Sequence, residues 1–242
     1  MDINVRGPSY IELFGGIKLS ASIVIGWIII VAAFFFCRWL TKDLKRVPDT
    51  KRQAIAEMLV TTMNKMVDEN MGAGMRVYAP YLATIFVFAL IGALVSLLGI
   101  RSMTVDINVT ATWAVMSFVL ITYNKIEANG FKGYLKGLAS PAILTPFNIL
   151  SEVATPVAMA LRMFGNMAGG MIISTMLYAA LGLASSAIYN LIGFSADTYY
   201  FSIFQVGIPA VLSLYFDLFS GVIQSYVFIM LTMAYIKNGR EG

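Results

Sequence analysis

Apolar runs long enough to cross a lipid bilayer recur along almost the whole chain. Of its 242 residues, 59% are hydrophobic and only 12% are charged, whereas soluble domains carry about 25% charged residues. A helix needs roughly 20 apolar residues to span the hydrocarbon core, and a water-soluble fold would leave much of this apolar surface exposed. The sequence therefore predicts an all-α polytopic membrane protein, built as a single membrane domain over residues 1–242.

Five membrane-embedded helices and one surface helix are expected from the positions of these runs. The segment at about 50–70 has apolar residues spaced at i, i+3 and i+4 and charges mostly on its other faces, a pattern typical of an amphipathic helix lying on the membrane. The last two runs are overlong, which predicts a strongly tilted hairpin of two long helices. The expected spans are 19–40, 77–100, 108–126, 141–183 and 199–236.

The basic residues predict the orientation of the chain. Six lysines and arginines fall within residues 38–52, directly after the first span, and such clusters mark the cytoplasmic side. With five crossings, the loop 125–136 and the C-terminal Lys237 and Arg240 then also face the cytoplasm. We therefore expect the N-terminus outside and the C-terminus in the cytoplasm.

Three ionisable residues, Glu152, Arg162 and Asp217, stand inside apolar stretches. A charge at the centre of a membrane helix costs about 2.5–3.5 kcal/mol on insertion scales. Arg162 cannot avoid this cost by losing its proton, because arginine side chains stay charged in proteins. One interpretation is a structural ion pair between Arg162 and either Asp217 or Glu152 that ties two helices together.

Polar and small residues around Arg162 favour a second interpretation, a water-accessible path lined by fixed groups. Asn166 lies one turn after Arg162 on the same helix face, and Asp217 and Gln224, seven residues apart, share one side of the last helix. Small residues let a helix or water approach closely. Those near Arg162 are Gly165, Gly169 and Gly170, and Ser220 and Gly221 lie between Asp217 and Gln224.

Several stretches resemble one protein family. The residues PFNILSEVATP at 146–156, followed by LRMFGN at 161–166, closely resemble the signature of subunit a of bacterial F-type ATP synthases. The segments GVIQSYVFIMLTM at 221–233, DINVT at 106–110 and LKRVP at 44–48 are similar to the same family. The resemblance covers essentially the whole chain in order.

This resemblance implies an ion-translocating stator subunit in the bacterial plasma membrane. Its partners would be a ring of c subunits, the peripheral-stalk b subunits, other synthase subunits and lipid, and not nucleic acid. In that family two offset aqueous half-channels reach the ring carboxylate from opposite faces, and Arg162 matches the arginine that acts as the electrostatic barrier between them. The subunit would not itself act on ATP. No cofactor or metal is expected, and the chain has no histidine, the commonest metal ligand.

The resemblance also suggests roles for other positions. Gln224 matches a glutamine that lies near the arginine, and Asn166 matches the asparagine of the motif; a helix-packing amide is the alternative for Asn166. Glu152 resembles the acid on the cytoplasmic side, an exit-channel residue. Asp106 and Asn108 would lie at the outer mouth.

The outer half-channel departs from the pattern of better-known members, which pair an acid on helix five with a histidine on helix six. Here the corresponding residues are Met171 and Asp217. We hypothesise that Asp217 alone serves as the entry-channel acid. A counter-ion of Arg162 is the alternative role for Asp217.

Two other classes of function are compatible with a hydrophobic chain. A secondary transporter could bind an anionic substrate at Arg162, but such proteins often contain internal repeats, and none is evident here. A non-catalytic assembly or anchor protein would explain the hydrophobicity but not the costly polar residues. The sequence leaves the coupling ion, proton or sodium, open, because that choice belongs mainly to the ring.

Overall fold

A computed structural model describes residues 10–13, 17–42, 44–45, 50–97, 102–192, 211 and 214–241 of the chain. Within these ranges the chain is mainly helical, and short 3₁₀ turns connect several helices. Six α-helices lie within the described ranges, namely α1 (Ala21–Leu40), α2 (Lys51–Met71), α3 (Ala79–Leu97), α4 (Ile107–Leu138), α5 (Thr145–Ile192) and α6 (Ser220–Glu241).

The predicted fold class is confirmed: this is an all-α membrane protein. In the described part of the chain, four helical segments are long and apolar enough to cross a membrane, namely Ala21–Leu40, Gly74–Ser96, Ile107–Leu138 and Thr145–Ile188. Of the fifth expected span, 199–236, residues 199–210 lie outside the described residues. Its later part forms a π-helical turn, Leu214–Phe219, and the start of α6.

A short antiparallel hairpin precedes α1 and was not expected from the sequence. Its strands are β1 (Tyr10–Leu13) and β2 (Ile17–Ser20), with Tyr10 opposite Ser20. Each strand has only four residues, too few for a clear alternation of apolar and polar side chains. Because the second strand extends to Ser20, the first helix begins at Ala21, two residues after the expected start of the first span.

The surface helix α2 forms where the sequence predicts it. The Thr50 hydroxyl accepts a hydrogen bond from the Gln53 backbone N–H at 3.4 Å and caps its first turn. The helix ends at Gly72, whose φ of +95° is readily adopted by glycine. Towards this end Val67 and Met71 are buried, so the C-terminal part of α2 packs on the bundle.

Helix α4 is longer than predicted. The residues after 126, expected as a polar loop, continue as helix to Leu138, and the helical backbone is interrupted at Gly130 with φ 70° and ψ 158°. The polar composition misled the prediction, because a helix that leaves the apolar core can carry charged residues on its exposed faces. The glycine provides the left-handed conformation that the bend requires.

Five helices meet in a common apolar core, to which α2 contributes Val67 and Met71. Helices α3, α4, α5 and α6 all contribute side chains to it, and α5 runs through Pro156 without ending. This core holds α5 and α6, the two helices predicted to carry the functional residues, against α3 and α4. Its buried members include Leu82, Trp113, Met163, Phe228 and Met233.

Candidate functional site

Arg162 lies on the face of α5 that points away from this core. Its side chain is exposed, as is that of Leu161, whereas the next residue, Met163, is completely buried. Gly165 and Gly169 follow on the exposed side, and a Cβ atom added at either would meet no other atom within 4 Å. The arginine therefore stands on an open helix face next to residues that take up little space.

Glu152 does not pair with Arg162, so one of the two partners proposed for the arginine is ruled out. The Lys125 Nζ lies 2.8 Å from both carboxylate oxygens of Glu152. Among the described residues, no ion pair joins Arg162 to any acid. The backbone of Asp217 lies in the turn Leu214–Phe219, but its side chain lies outside the described residues, and its role stays a prediction.

Asn166 joins α5 to the beginning of α6 one turn beyond Arg162. The Ser220 hydroxyl donates to the Asn166 Oδ1 at 2.6 Å, and the Asn166 Nδ2 donates to the Ser220 carbonyl oxygen at 3.2 Å. Both the oxygen and the nitrogen of the Asn166 side-chain amide are therefore hydrogen-bonded to Ser220. These contacts are those of a helix-packing amide, the alternative that the sequence left open for Asn166, and a role of this residue in the ion path stays a prediction.

The next residue of α6, Gly221, allows three helices to approach closely. A Cβ atom at this position would lie 2.7 Å from the Ala93 Cβ on α3 and 2.7 Å from the Met167 Cε on α5. Both distances are well below van der Waals contact. Any side chain here would force α6 away from its neighbours, so Gly221 has a packing requirement that Gly165 and Gly169 lack.

Gln224 is buried one turn further along α6. Its side chain is 8% exposed, and its Nε2 has no hydrogen-bond partner in the described part of the chain. Leaving a buried amide N–H group unpaired costs about 1–3 kcal/mol. Such a group requires water or another partner, as expected for a residue near a hydrated site.

The cytoplasmic-side candidate Glu152 lies where α4, α5 and α6 converge. Besides Lys125, the Tyr134 hydroxyl of α4 donates to its Oε1 at 3.4 Å. Two cavities adjoin this group. The larger, about 530 Å³, is lined largely by polar residues of the three helices, and the smaller, about 140 Å³, continues along α5 past Thr155 and Pro156 to Met159.

Asp106 and Asn108 lie together at the start of α4. The Asp106 Oδ1 accepts hydrogen bonds from the backbone N–H of Asn108 at 3.0 Å and from its Nδ2 at 3.1 Å. Asp106 is thus the N-cap of α4. A place at the mouth of an ion path stays a prediction for both residues.

The sequence did not predict a group of buried hydrogen bonds that joins α4 to the start of α3 and to the turn before it. The Tyr78 hydroxyl donates to the Asn124 Oδ1 at 2.6 Å, and the Tyr81 and Ser117 hydroxyls lie 2.9 Å apart. Ser117 and Asn124 are fully buried. Their spacing of seven residues, which repeats that from Thr110 to Ser117, is the signal that could have identified them.

Comparison with known proteins gives consistent similarities over nearly the whole chain. The family described as ATP synthase A chain matches residues 23–237. The sodium ion specific ATP synthase subunit a of Propionigenium modestum is 32% identical over 240 residues, which cover 92% of this chain and 75% of that protein. ATP synthase subunit a of Legionella pneumophila strain Philadelphia 1 is 29% identical over 230 residues, covering 94% and 90%. ATP synthase subunit a 1 of Prosthecochloris aestuarii is 30% identical over 235 residues, covering 95% and 93%.

Proposed function

Because the chain belongs to the ATP synthase A chain family, and is thus an ion-transporting membrane subunit of an ATP synthase, we propose that it is the stator half of the rotary ion pathway. In this proposal it provides two offset half-channels to the carboxylates of a c-subunit ring. Arg162 is the electrostatic barrier between the two half-channels. The N-terminus lies outside the cell and the C-terminus in the cytoplasm.

The exposure of Arg162 is the observation that carries this proposal. Its charge faces outward from α5 and has no acid partner among the described residues. An unpaired charge in the bilayer is costly, so the arginine requires a carboxylate partner, and in this proposal the c-subunit ring provides it. The open positions at Gly165 and Gly169 leave room for a second helix beside it.

Arg162 acts through its permanent charge. A deprotonated ring carboxylate that arrives opposite the guanidinium is attracted to it, while a cation from either half-channel is repelled. The ion must therefore travel round with the ring to reach the other side. Each charge that crosses the membrane field contributes about 2.3 kcal/mol per 100 mV, which is the energy that drives rotation.

The half-channels involve different ends of the helices. Glu152 and its two cavities support a cytoplasmic path, and Asp217 is the proposed acid of the outer path, with Asp106 and Asn108 at its mouth. The ring would lie against the exposed face of α5, and the peripheral-stalk b subunits would contact the chain elsewhere. Whether the ion is a proton or sodium depends on the ring, although one relative is named sodium ion specific.

Replacing Asp217 with Asn tests the outer half-channel. The amide keeps the size of the side chain but cannot carry the negative charge that attracts and passes on a cation. We therefore expect ion-driven ATP synthesis in proteoliposomes to fall at least about 100-fold, the lower end of the range in which a positioned acid–base group contributes. The Asp68→Asn variant, which changes an acid of the surface helix, is the matched control and should retain synthesis. Undiminished synthesis by Asp217→Asn would exclude the entry role.

A further inference from the structure

The Lys125–Glu152 ion pair stands between the two cavities on the cytoplasmic side. Lys125, Ser151 and Glu152 line both the 530 Å³ outer cavity and the 140 Å³ inner cavity. The lysine Nζ contacts both carboxylate oxygens at 2.8 Å. The ion pair therefore lies between the two cavities and lines both of them.

The two cavities differ in the proportion of polar residues that line them. The outer cavity is lined by polar side chains that include Asn129, Asn148 and Asn238. The inner cavity has a mixed lining, in which Phe118, Ile121, Pro156 and Met159 are apolar, and it extends to Met159. Met159 lies three residues before Arg162, about 4.5 Å along the helix axis, with its side chain buried in the core whereas that of Arg162 is exposed.

The position of the lysine depends on all three helices around it. Lys125 belongs to α4 and Glu152 to α5, and α6 adds Gly239, where a Cβ atom would lie 2.7 Å from the Lys125 Cγ. The absence of a side chain at Gly239 is what allows the lysine stem to reach the carboxylate. The pair is partly buried, with 28% of the lysine and 16% of the glutamate side chain exposed.

We propose that the Lys125–Glu152 ion pair is a gate on the cytoplasmic ion path, and that the structure holds it closed. While the pair is formed, Lys125 neutralises the carboxylate and contacts both of its oxygens, so a cation cannot bind there. Movement of the lysine into the outer cavity frees Glu152 and connects the two cavities. This proposal rests on the proposed function, because it assumes that ions reach Arg162 from this side.

The gate predicts a change in the apparent affinity for the transported cation. In inverted membrane vesicles that contain the whole ATP synthase, ATP-driven pumping is measured against the concentration of the coupling ion, sodium or proton, on the cytoplasmic side. In Lys125→Gln no lysine competes for Glu152, so we expect the half-saturating concentration to fall about two- to fivefold, the factor that a partly exposed ion pair contributes. Lys132→Gln removes the same charge from α4 at a position that lines neither cavity, and should behave like the unchanged enzyme.

A charge swap separates the gate from a purely structural role. The double variant Lys125→Glu with Glu152→Lys restores the pair with its charges exchanged, and we expect the half-saturating concentration to return to that of the unchanged enzyme. The same value for Lys125→Gln as for Lys132→Gln would overturn the proposal. If Lys125→Gln does not assemble, an assembled double variant with an altered half-saturating concentration would overturn it instead.

The Arg162→Ala variant, measured in the same vesicles, tells the two proposals apart. If it pumps normally, the proposed function is wrong. If it stops pumping while Lys125→Gln matches its control, the gate alone is wrong.

Discussion

Replacing Arg162 with Ala is expected to abolish ion-driven ATP synthesis while leaving the ATP synthase assembled. The side chain is exposed on α5 and makes no ion pair with the described residues of its own chain, so its removal should not disturb the core. Without the fixed charge, a ring carboxylate loses its attractive partner and ions can pass between the half-channels without rotation. ATP synthesis by proteoliposomes under an imposed ion gradient should fall to the level of vesicles without enzyme.

Two further variants make this measurement specific. Arg162→Lys keeps a positive charge but lacks the planar guanidinium and can lose its proton when desolvated, so it should not restore normal turnover. Arg52→Ala removes a guanidinium that lies 5.3 Å from the centre of the Trp39 ring, and should leave synthesis near normal. ATP synthesis by Arg162→Ala at the rate of the Arg52→Ala control would contradict the barrier role.

Replacing Gly221 with Leu is expected to prevent the chain from being retained in the complex. Even the first atom of the new side chain would lie 2.7 Å from the Ala93 Cβ, an atom fixed to the α3 backbone that cannot rotate away. Overpacking of a core costs about 1–3 kcal/mol for small insertions and more for larger ones. The amount of chain recovered with the purified complex, and the melting temperature of that complex, measure the effect.

The smaller substitution Gly221→Ala has a matched control at Gly137. A Cβ atom at Gly137 would meet no other atom within 4 Å, so Gly137→Ala should be neutral or slightly stabilising, since alanine favours a helix over glycine. Gly221→Ala should lower the melting temperature. Equal stability of the two alanine variants would show that the helices can move apart at Gly221 without cost.

Residue patterns were sufficient to predict the fold class, because the length of an apolar run and the spacing within the surface helix depend on local sequence. The predicted surface helix, 50–70, agrees with α2 at Lys51–Met71 within one residue at each end. The extension of α4 beyond residue 126 was not predicted, because charged residues and glycines are typical of loops as well as of exposed helical turns.

Part of the candidate site could also be predicted, because some of its residues stand out from their local sequence. Arg162 and Gln224 are conspicuous because they are polar residues in apolar surroundings. The Lys125–Glu152 pair was not predicted, since its members are 27 residues apart and belong to different helices. The three glycines 165, 169 and 221 looked alike in the sequence, and only packing distinguishes the open positions from the crowded one.

The hydrogen bonds between Asn166 and Ser220 have a mechanical consequence for a stator. In the proposed function, a rotor that attracts Arg162 would exert a sideways force on α5. The hydrogen bonds between Asn166 and Ser220, one turn from Arg162, would transmit that force to α6. The close approach of the helices at Gly221 would transmit it further to α3. In that proposal, the neighbouring helices would hold the guanidinium in place while the rotor turns.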